Sequence, residues 1–145
     1  MLLNDEYFMR LALTEAEKAL EMDEIPIGCV IVSNDLVIAK AHNLTETLND
    51  VTAHAEMQAF TAASEYLGSK YLNDCALYVT LEPCTMCLGA SYWTQIGKVV
   101  YGATDRKHNM SIDKKQLIHP KTQFIGGVLE EECVQLLQAF FRTKR

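Results

Sequence analysis

His54-Ala55-Glu56 places an imidazole two positions before a carboxylate, and Pro83-Cys84-Thr85-Met86-Cys87 follows twenty-seven residues after Glu56. Cysteines three apart at a helix start share one face, so both sulfurs project to the same side. The unpaired N–H groups of a helix N-terminus create a positive field that favours thiolate over thiol. Two thiolates neutralise a divalent metal, and a neutral imidazole from His54 makes a third ligand. Three protein ligands are the count of a catalytic rather than a structural zinc site, in which the open position holds a water with its pKa lowered towards ~7. Glu56 then has the chemistry of a general acid/base, taking the water's proton and returning it to a substrate at an amidine-type carbon.

Plainer readings stand beside this one. The C-x-x-C pair alone fits a redox dithiol or half of a four-thiolate structural site. Cys29, Cys75 or Cys133 could supply a fourth ligand and leave no place for water. The joint context argues for the catalytic reading: H-x-E after a predicted hairpin and P-C-x-x-C directly after a predicted buried strand, each at a predicted helix start.

The elements that must position these groups follow from periodicity. Asn4 or Asp5 caps a helix through about Met22, with Phe8, Leu11, Ala12, Ala19 and Leu20 near a 3.6-residue period. Residues 27–32 and 36–39 read as a hairpin across Ser33-Asn34-Asp35, followed by polar loop over 42–51. Thr52 is expected to cap a helix from Ala53 to about Leu67, stopped by Gly68. Residues 76–81 form a continuous apolar strand of the kind covered on both faces. Pro83 opens the next helix and Gly97 is expected to close it. Val99-Val100-Tyr101 and Phe124-Ile125 complete the strands, and a last helix starts near Glu130. The hairpin followed by strand–helix–strand units predicts an α/β fold: one domain over 1–145, with a mixed sheet of about five strands and helices on both faces. A crossover through the helix at 84–96 makes the strands on either side of it parallel.

Composition sets the outer bounds. The 145 residues are 49% hydrophobic and 22% charged, which is globular rather than disordered. No apolar run approaches the ~20 residues that span a bilayer, and no signal-peptide pattern opens the chain, so a cytoplasmic protein without a membrane partner is expected. Five cysteines fit free thiols in a reducing compartment. The net charge of −6 excludes a wholly basic nucleic-acid binder, but it is unevenly spread. Residues 1–60 carry 3 basic and 11 acidic side chains, while residues 98–145 carry 9 basic and 5 acidic. A basic C-terminal third could meet a polyanion along one edge.

H-x-E…P-C-x-x-C is the signature of the zinc nucleobase deaminases. On it the chain resembles the cytidine-deaminase-like superfamily and, within it, the bacterial tRNA adenosine deaminases. The resemblance runs through Glu24-Ile25-Pro26-Ile27-Gly28, His42-Asn43, Thr52-Ala53-His54-Ala55-Glu56, Leu77-Tyr78-Val79-Thr80-Leu81-Glu82-Pro83-Cys84, Ile96-Gly97-Lys98-Val99-Val100-Tyr101-Gly102-Ala103, Gly127-Val128-Leu129-Glu130 and Phe140-Phe141-Arg142. It implies a three-layer cytidine-deaminase-like fold and one zinc ion held by His54, Cys84 and Cys87, with Glu56 shuttling protons. The implied reaction converts adenosine to inosine at the wobble position of a tRNA anticodon stem-loop.

By the same resemblance Asn43 hydrogen-bonds the flipped purine, Ile25 lines the base pocket and the Ala55 backbone meets the base edge. Asp105 lies beside the preceding nucleotide, and Phe141 and Arg142 contact neighbouring nucleotides, with one of Phe140 and Phe141 packing inward. Lys107, Lys144 and Arg145 are further phosphate contacts, and a homodimer is implied. Two features depart from the pattern. Residues 105–112 contain no glycine where many relatives have one. The block Cys87-Leu88-Gly89-Ala90-Ser91-Tyr92-Trp93 also resembles free-base guanine deaminases, so deamination of free guanine or cytosine is the alternative activity. A zinc-stabilised RNA-binding module is the non-enzymatic alternative. Trp93 is expected in the core or the dimer interface.

Overall fold

The computed structural model describes residues 3–106 and 113–144. The first helix, α1 (Asp5–Glu21), begins where the Asn4 side chain accepts a hydrogen bond from the Tyr7 N–H at 2.9 Å. Its buried stripe is Phe8, Met9, Ala12, Leu13, Ala16 and Ala19, whereas Leu11 and Leu20 are half-buried. The alanines let α1 press on the sheet: a Cβ at Gly28 would stand 2.2 Å from the Ala16 nitrogen and 2.3 Å from the Ala12 oxygen. Only glycine fits that approach.

Strands β1 (Gly28–Ser33) and β2 (Leu36–His42) form the expected hairpin, with β2 running three residues further than its apolar stretch suggests. Then come α2 (Ala55–Leu67), β3 (Cys75–Leu81), α3 (Thr85–Thr94) and β4 (Lys98–Ala103). A short 3-10 turn at Lys114–Leu117, β5 (Gln123–Ile125) and α4 (Glu130–Arg142) close the chain. The sheet has five strands in the order β2-β1-β3-β4-β5. β1 is antiparallel to both β2 and β3, while β3, β4 and β5 are mutually parallel, so the sheet is mixed and the β3–α3–β4 crossover joins parallel strands.

Strand side chains alternate between two cores, as a period of two requires. Cys29, Ile31, Leu77, Val79 and Val99 face α2 with its Ala55, Ala59, Phe60 and Ala63, and Ala90 of α3 packs against the same cluster. Val30, Val32, Tyr78 and Val100 face α1, and α4 adds Cys133, Val134, Leu136 and Leu137 on that side. This is the three-layer arrangement expected.

Two helix boundaries differ from expectation. α2 starts at Ala55, not Ala53, with His54 as its N-cap. Thr52 instead donates its hydroxyl to Asp50 Oδ1 at 2.7 Å, within a loop turn. α3 starts at Thr85 with Cys84 as its N-cap, and it ends at Gln95 in the left-handed conformation (φ 56°) rather than at Gly97. Gly97 serves a close approach, since a Cβ there would lie 2.4 Å from the Asn73 carbonyl oxygen.

Candidate active site

α2 and α3 both begin at this site. His54 and Cys84 are the two N-cap residues, both with extended backbone, and neither side chain makes a capping hydrogen bond. This resolves how His54 and Glu56 share a site although two residues apart. The imidazole leaves from the non-helical cap, the carboxylate from the first helical turn. Cys87 sits one turn into α3 and is buried.

His54 Nδ1 lies 3.5 Å from Cys84 Sγ and 3.6 Å from Cys87 Sγ. All three donor atoms fall within 4.8 Å of one another. Zinc–sulfur and zinc–nitrogen bonds of ~2.3 and ~2.0 Å at tetrahedral angles place N and S about 3.5 Å apart. The donor set and its spacing therefore fit one zinc ion. Among the described residues Cys29, Cys75 and Cys133 lie outside this group, so the fourth-cysteine reading receives no support.

The electrostatics set the two sulfurs apart. Hydrogen bonding from Cys87, and then from His54, pulls the Cys84 thiol down to about 4 against the opposing effect of burial. Cys87 is pushed up by its bond to Cys84, by burial and by the Glu56 charge. The Cys84 hydrogen bond raises His54 in turn, outweighing burial. Glu56, only 4% exposed, is pushed up to about 7 by burial and by the Cys84 charge, while its own backbone N–H and His54 pull the other way.

A cleft of about 900 Å³ opens onto these groups. Its lining includes His54, Glu56 and Cys84 together with Ile25, Asn43, Ala55, Asp105, Phe141 and Arg142, the residues the resemblance places nearest the target nucleotide. α4 contributes one wall through Val134, Leu137, Gln138, Phe141 and Arg142. Phe140 turns inward and is buried, with the half-buried Phe141 edge-on to it at 5.3 Å between ring centres. Lys144 pairs with Asp23 at 2.7 Å. Lys107 and Arg145, and most of the glycine-free 105–112 stretch, lie outside the described residues. Trp93 is 78% exposed and so is not a core residue of the chain.

Sequence reasoning missed three polar residues that brace the cleft. Glu82 Oε1 accepts the Asp105 N–H at 3.0 Å, and its other oxygen lies 3.5 Å from Lys114 Nζ. Gln58 Nε2 donates to the His42 carbonyl at 2.9 Å and the Ala53 carbonyl at 3.2 Å. Glu24 is fully buried. Glu24 and Glu82 stand inside quoted motifs, and their proximity to Ile25 and Cys84 was the available signal.

Residues 3–103 match the cytidine and deoxycytidylate deaminase zinc-binding region. The tRNA-specific adenosine deaminase of Bacillus subtilis (strain 168) is 45% identical over 146 residues, covering 97% of this chain and 91% of that protein. The chain belongs to the tRNA-specific adenosine deaminase family. A structure solved in studies of A-to-I editing by tRNA:A34 deaminases superimposes with a TM-score of 0.80 at 41% identity, covering 90% of this chain and 98% of the other. A guanine deaminase structure from Bacillus subtilis is 43% identical with a TM-score of 0.67, but the likeness covers 70% of this chain and 66% of that one. In this deaminase no helix among the described residues is long and apolar enough to cross a membrane.

Proposed function

We propose that this deaminase hydrolyses the wobble adenosine of a tRNA anticodon loop to inosine, with His54, Cys84 and Cys87 holding zinc and Glu56 carrying protons. The observation that carries this reading is the convergence of the metal donors, one enclosed carboxylate and the Asn43–Phe141–Arg142 lining in a single cleft. Zinc bound to such a donor set supplies an acidified water at its remaining position. Glu56 takes a proton from water as oxygen bonds to C6 of adenine, and passes it to the adjacent ring nitrogen. A second proton transfer to the departing amino group releases ammonia and leaves the C6 carbonyl of inosine.

Asn43 hydrogen-bonds the extruded purine, Ile25 packs on it and the Ala55 backbone meets its edge. Asp105 lies beside the preceding nucleotide. Phe141 offers a face for a neighbouring base, and Arg142 a phosphate contact; stacking recovers part of the cost of extruding the base. The reading places the enzyme in the cytoplasm as a homodimer. Exposed Tyr92 and Trp93 and the half-buried His119 form an aromatic group, with ring centres 6.1 and 5.3 Å from Tyr92, which a second copy would cover.

Deamination of free guanine is the second reading, favoured by the 43% identity to a guanine deaminase. One assay separates the two. Purified enzyme is incubated with an adenosine-bearing anticodon stem-loop and, separately, with free bases. Inosine in the RNA is expected, and ammonia released only from a free base would replace the tRNA reading.

A further inference from the structure

Glu24 lies midway along the α1–β1 connection with its side chain wholly enclosed, and neither the metal group nor the proton carrier uses it. A carboxylate withdrawn from water is costly unless hydrogen bonds replace its hydration. Here Oε1 accepts the Glu46 backbone N–H at 3.1 Å, and Oε2 accepts the Thr47 N–H at 2.7 Å and the Thr47 hydroxyl at 2.6 Å. Burial pushes this carboxyl up, but the bonds from Thr47 and Glu46 outweigh it and hold it below the usual carboxylate range.

The segment so gripped leaves β2 at Asn43 and returns to α2 at His54. Its neck is pinned where the Leu44 N–H donates to the Ala53 carbonyl at 3.0 Å, and the Gln58 amide spans the same gap. Asn43 stands just before the neck, buried, with its N–H donating to the Ile27 carbonyl at 3.0 Å. Asn43 and His54 both line the cleft. The Glu24 carboxylate therefore ties the chain beside Ile25 to the segment whose first residue is Asn43.

We propose that Glu24 is a positioning residue for deamination: its carboxylate holds the 43–54 segment so that Asn43 meets the adenine in register. This rests on the wobble-adenosine reading above. Placement errors of about 1 Å remote from the chemistry cost on the order of 10²-fold in rate. Gln at position 24 keeps the shape but turns an NH2 group towards backbone donors, which disturbs the segment without emptying the site.

The test is a double-mutant cycle of Glu24→Gln and Asn43→Ala, read as kcat and KM on the adenosine stem-loop, with zinc content and Tm measured on each protein. Glu24→Gln is expected to lower kcat/KM about 10²-fold at unchanged zinc content, and to cost little more once Asn43 is Ala. Thr47→Val removes only the hydroxyl donor; it should give a smaller loss with the same dependence on Asn43, and it decides the matter if Glu24→Gln does not fold. Losses that multiply in the double variant, following Tm alone, would reduce Glu24 to a structural anchor and overturn the proposal; so would wild-type kcat/KM in Glu24→Gln. A wild-type enzyme that makes no inosine from the stem-loop would instead remove the underlying reading, and this shows in the wild-type arm alone.

Discussion

Replacing Glu56 by Gln removes the proton carrier while keeping its volume. Gln matches Glu in volume at this enclosed position (4% exposed), so no added space opens for water to stand in for the lost carboxylate. General acid/base groups contribute about 10²–10⁴-fold. Because solvent has little room to substitute here, the loss should lie near 10⁴, or about 5 kcal/mol of barrier at 1.36 kcal/mol per tenfold. Glu56→Asp keeps the carboxylate but draws it back by one methylene, so its loss should be nearer 10²-fold. The assay is single-turnover conversion of adenosine to inosine in an anticodon stem-loop, with zinc measured on the same preparations. Zinc should stay at one per chain in both variants, since Glu56 is not among the three donor residues. Turnover within tenfold of wild type in Glu56→Gln would show that another group carries the proton. Loss of zinc in that variant would make Glu56 part of the metal's support.

Three further outcomes are expected. His54→Ala, Cys84→Ala and Cys87→Ala should each lower zinc content by elemental analysis, and chelation of the wild type should lower its Tm, because a ligand at 100 times its Kd contributes about 2.7 kcal/mol. For Glu24, the folded-state pKa lies below the ordinary 4.5, so its stabilisation is complete above that pH and is lost as pH falls through the folded value. The Tm gap between wild type and Glu24→Gln should thus be steady near neutrality and narrow below pH 4.5; a gap that widens on acidification would contradict the hydrogen-bonded carboxylate. Arg142→Ala should weaken stem-loop binding and reduce the log–log salt slope by about 1, measured by fluorescence anisotropy across a salt series.

The sheet was legible because its strands are short apolar runs with clear stops, and the metal donors because their spacing is chemically restrictive. The errors fell at helix ends. Thr52 reads as a cap by residue type, yet its hydroxyl bonds Asp50, and His54 takes the cap position without its side chain bonding the helix. A side chain turned towards a group of metal donors instead breaks the local rule that capping side chains satisfy helix N–H groups. Gly97 misled for a similar reason. It was read as a helix stop, but its lack of a Cβ lets the Asn73 carbonyl come close, a requirement set by a segment distant in sequence. The roles of Glu24, Gln58 and Glu82 were hidden for the same cause, since their partners lie 23, 16 and 23 residues away in the chain.

These long-range polar contacts share one pattern. Glu24 grips the segment between β2 and α2, Gln58 pins that segment's neck, and Glu82 holds Asp105 beyond β4. Each fixes irregular chain that lines the cleft, whereas the metal donors and Glu56 sit at the starts of two helices packed on the sheet. Chemistry tied to regular elements should tolerate sequence change in the loops; the contacts proposed for Asn43 and Asp105 should not, because the chain around them is held by the buried Glu24 and the half-buried Glu82. Members of this fold that act on different bases should therefore share the helix-start groups and differ in how the braced segments are held.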